Sequence, residues 1–285
     1  MASMKDIKRR RASVQSTQQI TKAMKLVSTV KFQKSKTRAE QTVHYFEHMY
    51  QTVASILKRT GPVDHPYLKT GVSDRKAIVV ITANRGLAGG YNSNIVKLVL
   101  AQPFAKEDVD IYAIGTKGRD ALARRGYQIK SDDSPVIDAP TFADAKMVCE
   151  KVLASFAAGE VGEIYLAYTY FKNTVVHEAR LLRLLPLDYL EDDGEEQSDS
   201  LLMNYEPNEE EALGMIIPNY VTSLFYGALM EAVASENAAR MQAMDSATSN
   251  AEEMIQDLSL KYNRARQGSI TQELTEIIAG AEAIS

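Results

Sequence analysis

Two long segments at the ends of the chain lack the residues that break helices, and they constrain the fold more than any other feature. Residues 1–60 of this 285-residue chain contain no Gly and no Pro. Pro218 is the last proline, and from Asn219 to Gln267 the only glycine is Gly227. Breaker-free runs of this length exceed an ordinary globular helix and are typical of a coiled coil. The first segment alone would form a helix roughly 90 Å long at about 1.5 Å per residue.

Apolar residues recur in both segments at steps of three and four, which is the spacing of a coiled-coil seam. In the first segment they are Ile20, Ala23, Val27 and Val30, and then Val43, Phe46, Tyr50, Val53 and Leu57. In the second they lie at 217, 221, 224 and 228, at 247, 251, 254, 258, 262 and 265, and at Ile270, Leu274, Ile277, Ala281 and Ile284.

These patterns predict that the two terminal helices pair antiparallel. If helix one ends near Leu57 and helix two begins near Glu211 or Ala212, paired residue numbers add up to about 270, within several residues. Ile20 would then lie near Asn250–Ala251, and the helix beyond residue 270 would project alone. The alternative is two separate long helices, each packed on the domain between them.

The central part of the chain has a different pattern. Strand-like runs at Ala77–Thr82 and Val109–Gly115 alternate with helical patterns up to Leu100, at Thr116–Arg125 and at Phe142–Ala158. This alternation predicts an α/β domain with a mostly parallel sheet. Two further strands, Glu163–Phe171 and Thr174–Leu185, are close enough in sequence to form an antiparallel hairpin.

The predicted fold is therefore a long antiparallel coiled coil with a Rossmann-like α/β domain inserted in it. We assign residues 1–60 and 212–285 to the coiled coil, 70–190 to the α/β domain and 191–211 to an acidic loop.

Charge is distributed unevenly along the chain. Residues 1–40 contain eleven Lys and Arg against two acidic residues, whereas residues 188–211 contain eleven Asp and Glu and no basic residue. A basic end of this kind predicts docking to an acidic partner. Nucleic acid is one such partner, but residues 1–31 contain no aromatic residue on which bases could stack. An acidic protein surface is the better match, and we predict no binding to nucleic acid.

No motif in the sequence predicts catalysis, a cofactor or a metal. The glycines at 86, 89 and 90 follow a strand, but they match neither the dinucleotide fingerprint nor the P-loop. His44 and His48 are one helical turn apart but lack the other residues of a zinc site. Cys149 is the only cysteine, so an intrachain disulfide is impossible. Apolar runs are too short for a membrane span, so we predict no membrane insertion.

Four segments together resemble the gamma subunit of the F-type ATP synthase, over the whole chain. They are Ile20–Ser28 (ITKAMKLVS), Asn84–Asn92 (NRGLAGGYN), Glu236–Met241 (ENAARM) and Tyr262–Ala281. The last is the longest and most specific. The central motif departs from the family at Asn84, where an acid is usual, and at Ala88, where many members have Cys. The regulatory insert of chloroplast members is absent, and the resemblance indicates a bacterial chain.

The resemblance implies a non-catalytic rotor subunit that couples proton-driven rotation to ATP synthesis, or to hydrolysis in reverse. The coiled coil would turn inside the three-fold ring of alpha and beta subunits, and the α/β domain would sit on the membrane c-ring beside epsilon. The chain would thus be a peripheral protein at the cytoplasmic face of the bacterial membrane. A nucleotide-binding α/β enzyme with a coiled-coil arm is the alternative function, and a coiled-coil tether for nucleic acid is a third class.

The resemblance also implies which residues contact the alpha/beta ring. The basic residues of the N-terminal helix, together with Lys5, would face acidic segments of the beta subunits. A polar band near the C-terminus would grip one beta subunit through hydrogen bonds, while the apolar tip beyond it would fit the inner sleeve of the ring. The predicted contact residues are Lys8, Arg9, Arg10, Arg11, Lys22, Met24, Lys25, Arg240, Arg264, Arg266, Gln267, Thr271 and Glu273.

Overall fold

The computed structural model describes residues 4–60, 65–69, 71, 73–187 and 209–282, with the backbone alone for 39–47, 49–60, 209–212 and 282. The chain divides into two compact units, one of Met1–Thr29 with Arg240–Ser285 and the other of Val30–Ala239. The predicted acidic loop at 191–211 lies outside the described residues except for its last three, which begin a helix.

Five helices and five strands are present in the described residues. In chain order they are α1 (Met4–Thr60), β1 (Lys76–Ile81), α2 (Tyr91–Leu100), β2 (Val109–Ile114), α3 (Thr116–Ala123), β3 (Gln128–Asp132), α4 (Phe142–Ala157), β4 (Glu163–Phe171), β5 (His177–Leu185) and α5 (Glu209–Glu282). Three short 3₁₀ turns, Pro66–Leu68, Lys106–Asp108 and Ser134–Asp138, join some of them.

The sheet in the Val30–Ala239 unit has the strand order β3-β2-β1-β4-β5. Strand β1 runs parallel to both β2 and β4, and β5 is antiparallel to β4, so the predicted hairpin is confirmed. The sequence analysis missed β3. This strand is mostly polar, because it pairs on one side only and alternates exposed with half-buried residues at the edge of the sheet.

Apolar side chains cover both faces of this sheet. On one face, α4 and the first half of α5 pack against β1 and β4, with Phe225 and Leu213 fully buried. On the other face, α2 and α3 bury Ile95 and Leu122. Helix α4 begins with a capping box, in which Thr141 and Asp144 each accept a hydrogen bond from the other's backbone N–H. Burial of 217, 221 and 228 matches the predicted apolar face of α5.

Helices α1 and α5 pair antiparallel in the unit formed by Met1–Thr29 and Arg240–Ser285. The hydroxyls of Thr21 and Thr248 lie 2.8 Å apart, and Lys25 Nζ lies 2.5 Å from Asp245 Oδ1. The paired residue numbers add up to 269 and 270, so the predicted register is confirmed.

The predicted seam of α1 is wrong by one residue. Ile20 and Val27 are 58% and 57% exposed, whereas Thr21 and Ser28 are buried. Ala23 and Val30 are also exposed, and the side chains of Val43, Phe46, Tyr50, Val53 and Leu57 lie outside the described residues. A supercoiled helix keeps one heptad phase along its length. Ile7 and Val14, which are half-buried, share the phase of Thr21 and Ser28 and so decide it.

The partner seam on α5 was predicted more closely. Ala251 and Leu258 are buried, and Tyr262 and Ala265 are half-buried, as expected. At one position Ile255 replaces the predicted Met254, which is 43% exposed.

Candidate partner-binding surfaces

Most predicted basic contact residues of α1 are available to a partner. Lys8, Arg9, Arg10 and Lys22 are exposed, and Arg9 forms an ion pair with Asp6 at 3.3 Å on the same helix. An exposed ion pair of this kind is weak, because water and salt screen the attraction between the two charges. These side chains therefore form an accessible basic surface on the N-terminal half of α1.

Two other basic residues make contacts within the coiled coil. Arg11 is half-buried, and its guanidinium carbon lies 5.6 Å from the ring centroid of Tyr262. Lys25 forms the ion pair with Asp245. Both residues sit at seam positions, so their stems help to cover the interface between the helices. Met24 is half-buried beside Lys25, and Arg240 is half-buried on α5.

The predicted polar band of α5 is fully accessible in this chain. Exposed side chains are found at all five positions, Arg264, Arg266, Gln267, Thr271 and Glu273. The hydroxyl of Thr271 donates to the backbone oxygen of Gln267 at 3.0 Å, as such hydroxyls do within helices. The other donors and acceptors of the band remain exposed for contact with a second protein.

Beyond this band, α5 extends past the beginning of α1. The register that pairs Thr21 with Thr248 places Met4 opposite about residue 265, and α5 continues to Glu282. Ile270, Leu274, Ile277 and Ile278 are between 48% and 68% exposed. A helix with an exposed apolar face is only marginally stable in water, because most of the stability of a protein helix comes from packing of its apolar face. The predicted solitary tip is therefore present in the structure.

A second apolar surface was missed by sequence reasoning. Ile20, Leu26 and Val27 lie on the outer side of α1 and are each more than half exposed. The apolar spacing picked out Ile20 and Val27 but assigned them to the seam, and it did not include Leu26. Only the tertiary structure shows that Thr21 and Ser28 fill the seam instead.

The glycine-containing loop after β1 carries a structural role in the α/β domain. Asn84 binds the loops around it: its amide donates to the Ser134 carbonyl oxygen at 2.9 Å, and its Oδ1 accepts from the backbone N–H of Thr116. Gly89 has a φ of +55°, and exposed Leu87 has a φ of +62°. These contacts fix the shape of the loop.

In parallel α/β sheets a nucleotide binds at the carboxyl ends of the strands, where the strand order reverses. Here that point lies between β1 and β4. Ala83, Ala88 and Tyr91 are buried there, and Ala239 of α5 packs against them. Ser235 of α5 also donates to the Thr169 carbonyl oxygen. The long helix therefore occupies the crevice in which a nucleotide would lie.

No group of three or more His, Cys, Asp or Glu side chains is placed to hold a metal among the residues that the structure describes. His48 is exposed, and the side chain of His44 lies outside the described residues. Cys149 is buried between α4 and the sheet, and burial raises its pKa to about 12. A thiol of this kind is unreactive.

Helix α5 is apolar enough to meet a length-and-composition criterion for a membrane span, contrary to the expectation from the short apolar runs. An 18-residue window within Leu213–Ala281 has a mean hydropathy of 1.3. Of that window, 56% is buried inside the fold. The apolar character is explained by packing against the sheet, as in the core helix of a globular domain.

Comparison with known proteins places the chain in a family. The family model described as ATP synthase matches residues 3–284. The chain is 64% identical to the ATP synthase gamma chain of Lachnoclostridium phytofermentans over 291 residues, with both chains fully covered. It is 41% identical to the sodium-ion-specific gamma chain of Acetobacterium woodii over 298 residues, covering 99% of each.

Solved structures with a similar fold are also chains of ATP synthases. A chain of the Tetrahymena thermophila mitochondrial ATP synthase central stalk and c-ring matches with a TM-score of 0.59 and 25% identity, covering 80% of this chain and 99% of that one. A chain of the Euglena gracilis mitochondrial ATP synthase matches with a TM-score of 0.70 at 20% identity, covering 99% and 94%, which supports the fold alone. The chain belongs to the gamma-chain family of ATP synthases.

Proposed function

We propose that this chain is the central rotor shaft of an F-type ATP synthase. The paired parts of α1 and α5 turn inside the three-fold ring of alpha and beta subunits and change the nucleotide affinity of each catalytic site in turn. The α/β domain serves as the foot, seated on the membrane c-ring beside epsilon. The proposed boundaries are those expected from the sequence: shaft 1–60 and 212–285, foot 70–190, and acidic segment 191–211.

The observation that carries this proposal is the solitary apolar tip of α5. Ile270, Leu274, Ile277 and Ile278 are about half to two-thirds exposed. An exposed apolar surface rimmed by polar groups marks a protein interaction site. At about 100° per residue these four positions fall within an arc of roughly 100°, so they form one continuous apolar face that the inner surface of the ring would cover.

The accessible side chains divide into three contact surfaces for the ring. Exposed Lys8, Arg9, Arg10 and Lys22 face acidic segments of the beta subunits. Such contacts act within a Debye length of about 8 Å at physiological salt, so they register rotation angle locally. The polar band on α5 holds a rotational position through hydrogen bonds, and the apolar tip centres the shaft. The half-buried residues Met24, Arg11, Lys25 and Arg240 are the remaining proposed contacts with the ring.

We propose that the chain has no catalytic activity of its own and needs no cofactor. Ala239 packs against the buried residues Ala83, Ala88 and Tyr91 near the reversal of strand order, which disfavours the alternative of a nucleotide-binding enzyme. Titration of the full chain with ATP in a calorimeter should give no binding heat at micromolar concentrations. Micromolar binding that is lost in Arg85→Ala or Gly89→Ala would favour the enzyme instead.

We propose that protons drive the rotation and that the complex is attached to the cytoplasmic face of a bacterial membrane. One relative is sodium-ion-specific, so the ion must be tested separately from the rotor role. ATP synthesis in membrane vesicles under a proton gradient without added sodium should proceed. A requirement for sodium would show that sodium is the coupling ion, and it would not contradict the rotor role of this chain.

Crosslinking within the native complex tests the shaft role directly. A cysteine at Ile270, in the tip, should crosslink to an alpha or beta subunit when the complex is purified through a tag on this chain. A cysteine at Val175, an exposed apolar residue of the β4–β5 loop, is the matched control and should give no crosslink to the ring. Failure of alpha and beta to co-purify, or equal crosslinking from both positions, would contradict the proposal.

A further inference from the structure

One large apolar side chain of α1 is buried within the Val30–Ala239 unit. Helix α1 continues without a break into this unit, which also contains the sheet. Among the described side chains of α1, at positions 4–38 and 48, Phe32 is the only buried apolar residue, with 8% of its surface exposed. Ser35, one turn further on, is buried too, but its hydroxyl bonds to carbonyl oxygens of its own helix at 3.0 and 2.9 Å. The apolar contact of this part of α1 therefore depends on one ring.

The ring of Phe32 packs on the end of the β4–β5 hairpin. Its centroid lies 5.5 Å from that of Phe171, the last residue of β4, and the two ring planes are inclined at 47°. Phe171 pairs with His177, the first residue of β5, and their ring centroids are 6.0 Å apart. Both separations are typical of favourable contacts between rings. Burial lowers the pKa of His177 below 6.5, so a neutral imidazole completes the row of three rings at pH 7.

This row of rings is separate from the attachment of α5. Phe225 and Leu229 of α5 are fully buried in the apolar core on one face of the sheet, and Phe32 lies outside that core. The hydroxyl of Ser235 also donates to the Thr169 carbonyl oxygen at 3.4 Å. Loss of the Phe32 ring should consequently leave α5 attached to the sheet.

Both long helices continue from this unit into the coiled coil. Two paired helices transmit torque as one body only if each of them is held by the domain that turns them. If α1 were held by the seam alone, it could twist and slide against α5 under load. The attachment of α1 to the hairpin therefore matters for a rotating shaft, although α5 has the larger buried surface.

We propose that Phe32 is a positioning residue for rotation, because its contact with Phe171 anchors α1 to the β4–β5 hairpin and makes both helices of the shaft turn with the α/β domain. The anchor is a property of the folded chain, whereas its part in torque rests on the proposed rotor function. The two can therefore be tested separately.

Hydrogen exchange of the full chain tests the anchor. In Phe32→Ala, exchange of the α1 segment 30–38 should become about tenfold faster, because the ring contact is lost. Exchange of the α5 segment around Phe225 should stay unchanged. Val30→Ala shortens a side chain that is 67% exposed on the same helix, and this matched control should behave as the parent chain. Equal effects of the two variants on segment 30–38 would overturn the proposal.

Two further measurements keep the test valid if Phe32→Ala fails to fold. The chain has seven phenylalanines, so a phenylalanine-labelled sample allows the ring protons of Phe32 and Phe171 to be assigned. A nuclear Overhauser effect between these rings is expected at a centroid distance of 5.5 Å, and its absence would overturn the contact. Phe171→Ala should also accelerate exchange of segment 30–38 about tenfold, and an unchanged rate in that variant would contradict the anchor.

Coupling in the native complex tests the part in torque. In Phe32→Ala, ATP synthesis driven by an ion gradient should be lost to a greater extent than ATP hydrolysis, with assembly unchanged, because a loosened α1 lets the shaft yield under load. Phe32→Leu, which keeps a large apolar side chain, should restore most of the synthesis. If alpha and beta subunits fail to co-purify with the parent chain, the rotor function is wrong and an anchor found by exchange stands. If the Phe32→Ala complex assembles and synthesises ATP as the parent does, the positioning role is wrong.

Discussion

At the residue scale, close contact around Thr82 shapes the end of β1. The backbone N–H of Gly118 donates to Thr82 Oγ1 at 2.9 Å, and the Thr82 hydroxyl contacts the carbonyl oxygens of Ile114 and Gly115. Gly115 has a φ of +100°, and a Cβ placed on it would lie 2.0 Å from the Thr82 carbonyl oxygen. The turn from β2 into α3 is therefore possible only with glycine at this position.

Gly115→Ala should consequently destabilise the α/β domain by more than about 3 kcal/mol, because strain and a backbone clash add together. Gly126→Ala is the matched control: its φ is +87° but a Cβ would meet nothing within 4 Å. Strain alone should cost about 1–2 kcal/mol there. Urea unfolding of both variants measures the difference, and equal losses would show that the contact with Thr82 is relaxed easily.

The buried thiol of Cys149 leads to a prediction about chemical reactivity. With a pKa raised to about 12 by burial, the thiolate is scarce at pH 8. Alkylation of the native chain at pH 8 should therefore be about 10³-fold slower than in denaturant, since the thiolate is the nucleophile. Mass spectrometry of iodoacetamide-treated protein measures both rates. Comparable rates would mean that the α4 side of the core opens frequently.

At the element scale, the coiled coil illustrates how heptad phase is decided. Each local apolar run predicts a heptad phase, and the run from Ile20 to Val30 predicts a phase that the helix does not adopt. Ile7, Val14 and the polar seam residues Thr21 and Ser28 share the phase that places α1 against α5. Small hydroxyl residues fit this seam because the hydroxyls of Thr21 and Thr248 form a hydrogen bond across it.

Disulfide trapping checks this seam at residue level. The pair Thr21→Cys with Thr248→Cys should oxidise readily, because the two hydroxyl oxygens are 2.8 Å apart. Ile20→Cys with Thr248→Cys is the control one position out of phase and should oxidise slowly, since Ile20 points outward. Native Cys149 is buried in the other unit and should not interfere. Faster oxidation of the Ile20 pair would restore the seam expected from the sequence.

At the scale of the whole molecule, the proposed rotor role separates the polar band of α5 from its apolar tip. Apolar contact is nonspecific in angle, whereas hydrogen bonds are directional. The tip should therefore centre the shaft, and the band should set its angle. Both surfaces are exposed in the chain, so each can be altered without removing a contact within the fold.

Deleting Ala279–Ser285 should thus leave rotation largely intact, whereas Arg266→Ala with Gln267→Ala should lower ATP synthesis more than it lowers assembly. Single-molecule rotation and coupled synthesis measure the two effects. Of the deleted residues, 279–281 are exposed and the last three lie outside the described residues. If the truncation stops rotation while the double variant couples normally, the two roles are assigned the wrong way round.

The sequence by itself determined the helices, four of the five strands, the antiparallel hairpin and the antiparallel pairing of the two terminal helices. Long breaker-free segments fix two helices, alternation fixes a mostly parallel sheet, and the segment lengths fix an antiparallel register near 270. These features depend on local propensity and on counting residues, which a single sequence contains. The four motif segments also sufficed for the family, which the comparisons confirmed.

Tertiary structure alone decided which face of α1 is buried. Ile20 and Thr21 are neighbours, and only the packing of α5 against the N-terminal part of α1 selects the threonine for the seam. The polar edge strand β3 gains its hydrogen bonds from β2, a partner distant in sequence. Burial and partner choice depend on contacts between distant residues, which periodicity along one segment does not contain.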